Sequence, residues 1–386
     1  MTPGARVAAA ISIMDEVLAG APAERTLTRW ARGARYAGSK DRAAVRDLVF
    51  GALRRLRSSH RIGGPGGRGT IVGALVQDGA DLDALLNGAG HAPPPLSPQE
   101  RDRIGSPPEP TPGELLDLPD WLLDRWWESL GQDATGAALA LRDRAPVHLR
   151  ANLAVTDADG LLRELGRHGI EARRLDLSPT AVDIVGDGRA LRATGIVESG
   201  RAELQDAASQ AVADMVPAGG TVLDFCAGGG GKSLAIAARG AKVTAHDADP
   251  SRMSDLPERA RRAGALIEIA DRPSGRFDAV LVDAPCSGAG AWRRQPEAKW
   301  RLTEERLAAL TELQGGILAT ASDHVTEGGT LTYATCSMLD QENRRQVDRF
   351  LQANEGWRLV EELRLTPING GDGFYAANLT QRRVEH

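Results

Sequence analysis

From Gln205 onward, short apolar runs alternate with helical stretches: TVLDFC, AKVTAHD, ALIEIAD, FDAVLVDAP and GGTLTYATC. Continuous apolar strands separated by helices bury both faces of a parallel sheet, because the crossover helices cover its two sides. This pattern predicts a doubly wound, mostly parallel α/β domain of Rossmann-like type. It also predicts where the chemistry lies, since ligands of such sheets bind beyond the carboxyl ends of the strands. Asp224, Asp247, Asp271 and Asp283 close four of the runs, and the three cysteines of the chain, Cys226, Cys286 and Cys336, stand just past strand ends.

The stretch CAGGGGKS, residues 226–233, follows the first of these strands and opens a helix, so its amides face a polar or anionic ligand. A phosphate-binding P-loop would need glycine at position 226, where Cys226 stands, and the match fails at its first element. The alternative is the glycine loop of an S-adenosylmethionine-dependent methyltransferase, which wants a carboxylate after the second strand to hold the ribose hydroxyls. Asp247 lies there, 23 residues after Asp224. Asp271 and Asp283 supply polar groups at the next two strand ends.

Three cysteines 60 and 50 residues apart form neither a disulfide framework nor the paired CxxC ligands of a zinc site, so reduced thiols and no metal are expected. Most methyl acceptors are already nucleophiles, but carbon 5 of a pyrimidine is not. A thiolate that adds to carbon 6 turns the ring into an enamine whose carbon 5 attacks the methyl sulfonium, after which a base removes the carbon 5 proton and the thiol leaves. An acid near ring nitrogen 3 helps, and Asp283 precedes Cys286 by three residues on one strand end. A free cysteine often merely packs. Placement of Cys286 and Cys336 at strand ends rather than mid-strand favours chemistry.

The remainder of the chain reads differently. Residues 1–75 carry helical periodicity, with ARVAAAISIMDEVLAG ending in Gly20 and SKDRAAVRDLVFGALRRLRSS opening on Ser39 as the expected N-cap. They hold thirteen Lys and Arg against five acids, whereas the whole chain has a net charge of −5. A basic face of this kind is a candidate phosphate-binding surface, the alternative being a solvated helix face. Residues 88–113 are rich in proline and predict a loop. Trp121, Trp126 and Trp127 follow in a short helix, as packing residues. From Pro146 to about Gly200 the pattern is strand, helix, strand: VHLRANLAV, DADGLLRELGRHG, AVDIVG. No run approaches the roughly 20 apolar residues of a membrane span. VAAAISIM has amphipathic helical spacing and is followed by Asp15 and Glu16 rather than reading as a signal peptide, and a cytoplasmic location is expected.

DAPCSGAG and TYATCS resemble the paired proline-cysteine and threonine-cysteine signatures of the RNA cytosine-5 methyltransferases of the Sun/Nol/Nop family. WRRQPEAKWRLTEERLAALTELQGGIL, LQDAASQAVADM and DGFYAANL are also similar to that family, and KDRAAVRDLVFGALR resembles the NusB-like RNA-binding domain found in its bacterial 16S ribosomal RNA members. The resemblance implies three parts: a helical NusB-like domain over 1–145, a small α+β, RRM-like subdomain over 146–204, and an S-adenosylmethionine-dependent catalytic domain over 205–386. It implies Cys336 as nucleophile and Cys286 in release, with Asp283 and Lys232 completing the catalytic set. Cofactor contacts are implied for Cys226, Ala227, Gly228, Gly229, Gly230, Gly231, Lys232, Asp247, Arg252, Asp271 and Asp283. RNA, with 16S ribosomal RNA as the expected substrate, would meet Arg42, Arg46, Arg54, Arg293, Arg294 and Lys299, and a monomer is expected. One departure stands out: the family loop reads Ala-Ala-Pro-Gly-Gly-Lys, and here Ala227 is followed by four glycines, which leaves φ unrestricted at residue 229. Other readings stay open: a catalytically weak or non-catalytic RNA-binding or ribosome-assembly factor, a methyltransferase with a different RNA target, and a methyltransferase acting on DNA or a small molecule.

Overall fold

Val7, Ala10, Ile13, Met14 and Val17 recur at helical spacing and form the buried stripe of the helix Pro3–Leu18. Gly20, at φ 103°, follows its end, a backbone geometry costly for any residue with a Cβ. The helix Ser39–Arg54 buries Val45, Val49, Phe50 and Leu53. Its N-cap is Gly38 rather than Ser39, because the Asp41 carboxylate accepts the Gly38 amide at 3.0 Å and satisfies the end from within the first turn. The helices Leu56–Gly63 and Gly66–Gln77 approach so closely that a Cβ on Gly73 would meet the Ser59 carbonyl oxygen at 2.0 Å.

The computed structural model describes residues 1–186 and 188–381, and the chain divides into two units by its contacts. The first is helical and comprises Met1–Asp124, Ala134–Arg144 and Trp292–Arg301. The last segment comes from between the two cysteine motifs. Its helix Pro296–Arg301 is fastened to the helix Ser39–Arg54 by Trp300 Nε1, which donates to the Leu53 carbonyl at 2.7 Å, and by Lys299 Nζ, which donates to the Arg54 carbonyl at 3.0 Å. The second unit comprises Arg125–Asp133, Ala145–Ala291 and Leu302–His386. Arg125–Asp133 and Trp292–Arg301 thus cross the boundary expected at residue 145.

Two sheets build the second unit. The smaller is antiparallel, from β1 (Val147–Ala151), β2 (Ala172–Arg174), β3 (Ala181–Ile184) and β4 (Ala202–Leu204), in the order β2-β3-β1-β4. The helix Ala158–Arg167 covers it with Leu161 and Leu165. The larger sheet holds β5 (Thr221–Asp224), β6 (Lys242–Ala245), β7 (Ile267–Ile269), β8 (Phe277–Asp283), β9 (Val325–Thr335), β10 (Trp357–Leu365) and β11 (Phe374–Gln381), in the order β10-β11-β9-β8-β5-β6-β7. Pairing is parallel from β7 across to β9, and β11 joins β9 antiparallel. β5, β6 and β8 are runs buried on both faces, as in VLVD, and the chain order reverses on either side of β5. A crevice at the carboxyl end of β5, where the strands on its two sides lead away, is the binding position of such sheets.

Candidate active site

The register brings the two cysteine motifs together. β8 and β9 run parallel with Asp283 opposite Ala334, so the residues just beyond each strand emerge side by side. Cys286 and Cys336 lie there with their sulfurs 3.3 Å apart. The Gly290 amide donates to the Cys336 carbonyl at 2.9 Å, tying one cysteine loop to the other. A Cβ on Gly290 would meet the Gly373 carbonyl oxygen at 1.9 Å, so DGFYAANL presses its glycine against the same loop. The hydrogen bond with Cys336, followed by burial, pushes the Cys286 thiol well above the usual range. Cys286 therefore stays protonated.

Beside the pair, Lys232 Nζ donates to Asp283 Oδ2 at 2.6 Å and lies 5.1 Å from the centre of the Phe374 ring. Burial alone would lower the Lys232 ammonium, but the charge and hydrogen bond of Asp283 outweigh it and raise it, so Lys232 keeps its charge at neutral pH. Asp224, at the end of β5, is held up at about 7, first by burial, against the opposing hydrogen bond from Ser233. Its Oδ1 is buried without a hydrogen-bond partner among the described residues.

The glycine loop leaves β5 through Cys226. Burial, then the carboxylates of Asp224, Asp283 and Asp247, raise the Cys226 thiol, which makes it a poor nucleophile. Gly228 and Gly230 take φ of 52° and 75°, and Gly230 caps the helix Gly231–Ala237. Asp247, 3% exposed, accepts the Gly228 amide on Oδ2 at 2.9 Å, the Asp249 amide on Oδ1 at 2.9 Å, and Arg252 on Oδ2 at 3.0 Å. Four lone-pair sites serve three donors, which leaves room for a hydroxyl. A bare glycine backbone, a carboxylate with spare acceptor capacity and the orphaned Asp224 oxygen form a polar set that fits a nucleoside with a charged tail. Ala227 donates its amide to the His246 carbonyl at 2.8 Å, and Asp271 is exposed beyond β7.

Sequence reasoning missed the residue that organises the thiol loops. Glu342 is fully buried, and its carboxylate accepts the Ser287 amide at 2.8 Å, Gln314 Nε2 at 3.0 Å, and the hydroxyls of Ser287 and Ser337. Ser287 follows Cys286 and Ser337 follows Cys336. A carboxylate six residues after a cysteine has no local signature, because its partners lie on three separate segments.

The candidate RNA residues separate into two groups. Arg42 and Arg294 are exposed, as is Arg46, which pairs with Glu24. Arg54, Arg293 and Lys299 turn inward instead: Arg54 Nε donates to the Arg293 carbonyl at 2.7 Å, and Lys299 is 1% exposed. Burial drives the Arg54 guanidinium down to about 10 and the Lys299 ammonium down to about 7. These three bind the helical unit together. Arg25, Arg32, Arg35 and Tyr36 are exposed along the helix Ala23–Gly33 and the turn after it, and Lys40 is exposed at the start of the helix Ser39–Arg54. Trp126 is buried and Trp127 exposed. Among the described residues no helix is long and apolar enough to cross a membrane, and no cluster of His, Cys, Asp or Glu is arranged to hold a metal.

Residues 215–380 match the family described as 16S rRNA methyltransferase RsmB/F, and residues 118–189 match the ferredoxin-like domain of the same group. The ribosomal RNA small subunit methyltransferase B of Erwinia tasmaniensis is 34% identical over 346 residues, covering 81% of this chain and 76% of that protein. The protein of the same name from Photorhabdus laumondii is 32% identical over 285 residues, covering 68% of this chain and 66% of its own length. The chain thus spans from just under two thirds to about three quarters of these relatives. A methyltransferase homolog from Pyrococcus horikoshii superposes with a TM-score of 0.61 over 75% of this chain and 100% of its own, at 21% identity, a likeness of fold.

Proposed function

Since the chain belongs to the RsmB/F family of S-adenosylmethionine-dependent RNA methyltransferases, we propose that it methylates carbon 5 of a cytosine in 16S ribosomal RNA through a covalent adduct. The observation that carries this reading is the pair of thiols 3.3 Å apart, next to the Lys232–Asp283 ion pair and a glycine loop. S-adenosylmethionine, when bound, supplies an electrophilic methyl group. The glycine loop, Asp247 and Asp283 hold it, with Asp247 taking the ribose hydroxyls.

Cys336 is the nucleophile. As the thiolate it forms a bond to carbon 6 of the cytosine, the ring electrons move toward nitrogen 3, and the Asp283–Lys232 pair provides the proton and charge there. Carbon 5 becomes the nucleophilic centre. Elimination follows: a base takes the carbon 5 proton, its electron pair re-forms the double bond, and the bond from carbon 6 to Cys336 breaks with its electron pair going to the Cys336 sulfur, a departure that Cys286 assists. A protonated Cys286 beside the sulfur of Cys336 suits that division of labour, because a thiol held protonated is a poor nucleophile.

The helical unit supplies RNA affinity through its exposed cations, the 146–204 segment acts as a subdomain, and the protein works in the cytoplasm as a monomer. Bisulfite sequencing of small-subunit ribosomal RNA from cells with and without the gene tests the reading. One protected cytosine is expected to disappear with the gene, and an unchanged pattern overturns the assignment.

A further inference from the structure

Residues 228–231 are all glycine, so nothing on the loop's own side chains restrains it. The restraint comes from outside. Arg259, on the helix Leu256–Ala263, donates Nη1 to the Gly229 carbonyl and Nη2 to Glu203 Oε2 at 2.9 Å. Arg262 donates to the other Glu203 oxygen at 2.9 Å. Arg150 donates Nη1 to the Gly231 carbonyl at 2.6 Å and to Gln205 Oε1 at 2.6 Å. Arg150 and Glu203 face each other across β1 and β4, and both are buried. Asn152, just past β1, donates to the Ala263 carbonyl at 2.9 Å and anchors the end of the arginine-bearing helix.

We propose that the small four-stranded sheet is a brace for the cofactor loop: Glu203 aims Arg259, and Arg259 and Arg150 hold the carbonyls of Gly229 and Gly231, so that cofactor affinity depends on three side chains that do not touch the cofactor. The inference rests on reading residues 226–232 as the cofactor loop. Its physical basis is that ordering a glycine run costs more conformational entropy than ordering any other sequence, and a loop already held in the free protein does not incur that cost on binding. Arg259 takes the role that proline fills at position 229 in the family's loop, restraint of the backbone, by a hydrogen bond from another element. Gly229 lies outside the left-handed region, so a proline there is sterically reasonable. These are positioning residues.

The test is calorimetric titration of S-adenosylmethionine and hydrogen exchange of residues 226–232 in the full-length, ligand-free protein. Arg259→Ala is expected to weaken binding about tenfold and to speed exchange in the loop. Glu203→Gln is expected to shift both in the same direction. Adding Gly229→Pro to Arg259→Ala is expected to recover affinity and slow the exchange, which a role in overall folding alone would not produce. Unchanged exchange in Arg259→Ala overturns the brace even where affinity falls, as does affinity within twofold of the wild type. A wild-type protein that binds no cofactor overturns the loop reading itself, and the brace with it.

Discussion

The sulfurs of Cys286 and Cys336 lie 3.3 Å apart although the residues are 50 positions apart in the chain. In the proposed mechanism these two thiols serve opposite ends of one covalent intermediate, and substitutions separate them. Cys336→Ala is expected to abolish methyl transfer and any RNA adduct that survives denaturation. Cys286→Ala is expected to add to the ring and accept the methyl group but fail to release it, giving a slow-migrating protein–RNA band on a denaturing gel. The reverse pattern would move the nucleophile to the proline-cysteine motif, as in DNA methyltransferases, and full activity in both variants would sink the covalent mechanism.

Asp247 is buried with three donors on its carboxylate. Asp247→Ala is expected to weaken S-adenosylmethionine binding by roughly 1 to 3 kcal/mol, because a hydrogen bond to a charged partner is lost. Calorimetry decides it. An unchanged affinity would mean that the ribose hydroxyls bind elsewhere.

Glu342 fixes the loops that carry both thiols. Glu342→Gln puts an amide donor where Ser287 and Ser337 already donate, so one contact becomes donor against donor. Single-turnover methylation should fall about tenfold or more, as expected when reacting groups are misplaced by an ångström or less. Cofactor affinity should stay within about twofold. Equal losses of both would make Glu342 a general stability residue instead.

Lys299 gives the helical unit a defined pH dependence. Its ammonium titrates near 7 when folded, lowered chiefly by burial, against a usual 10.5 when unfolded. Between these values the unfolded chain binds more protons, so this group's contribution to stability rises with pH across that window and is lost as pH falls through 7. Lys299→Met is expected to stabilise the protein by on the order of 1 kcal/mol at pH 6, with the advantage shrinking as pH rises toward 10. Thermal melts across that range test it, and a constant difference would mean that the ammonium is not the cause.

Deleting residues 1–75 would strip Trp300 and Lys299 of their acceptors, so the RNA surface is better tested by point changes. Replacing Arg32, Arg35 and Arg42 together with alanine should weaken RNA binding and flatten its salt dependence by about 0.7 to 0.9 in slope for each lost phosphate contact. Cofactor affinity should be unmoved. A full wild-type salt slope would return these arginines to the role of solvated surface.

The sequence by itself determined the parallel sheet, the glycine loop and the row of aspartates and cysteines at strand ends, because each depends on local pattern: apolar runs of strand length, punctuation by glycine, and polar residues where a strand stops. Helix caps were legible only to within a residue, as at Gly38, where a side chain inside the first turn does the capping. What the tertiary structure alone decided are partnerships with no local signature. The register of β8 on β9 closes the gap between two thiols, a glutamate on a short turn joins both of their loops, and a cross-strand Arg150–Glu203 pair reaches a loop far along the chain. It also turned Lys299 and Arg54, cations that read as RNA contacts, into the interior. Charge and spacing show which side chains are available, but burial and long-range geometry decide whether each one meets solvent, a backbone carbonyl or another side chain.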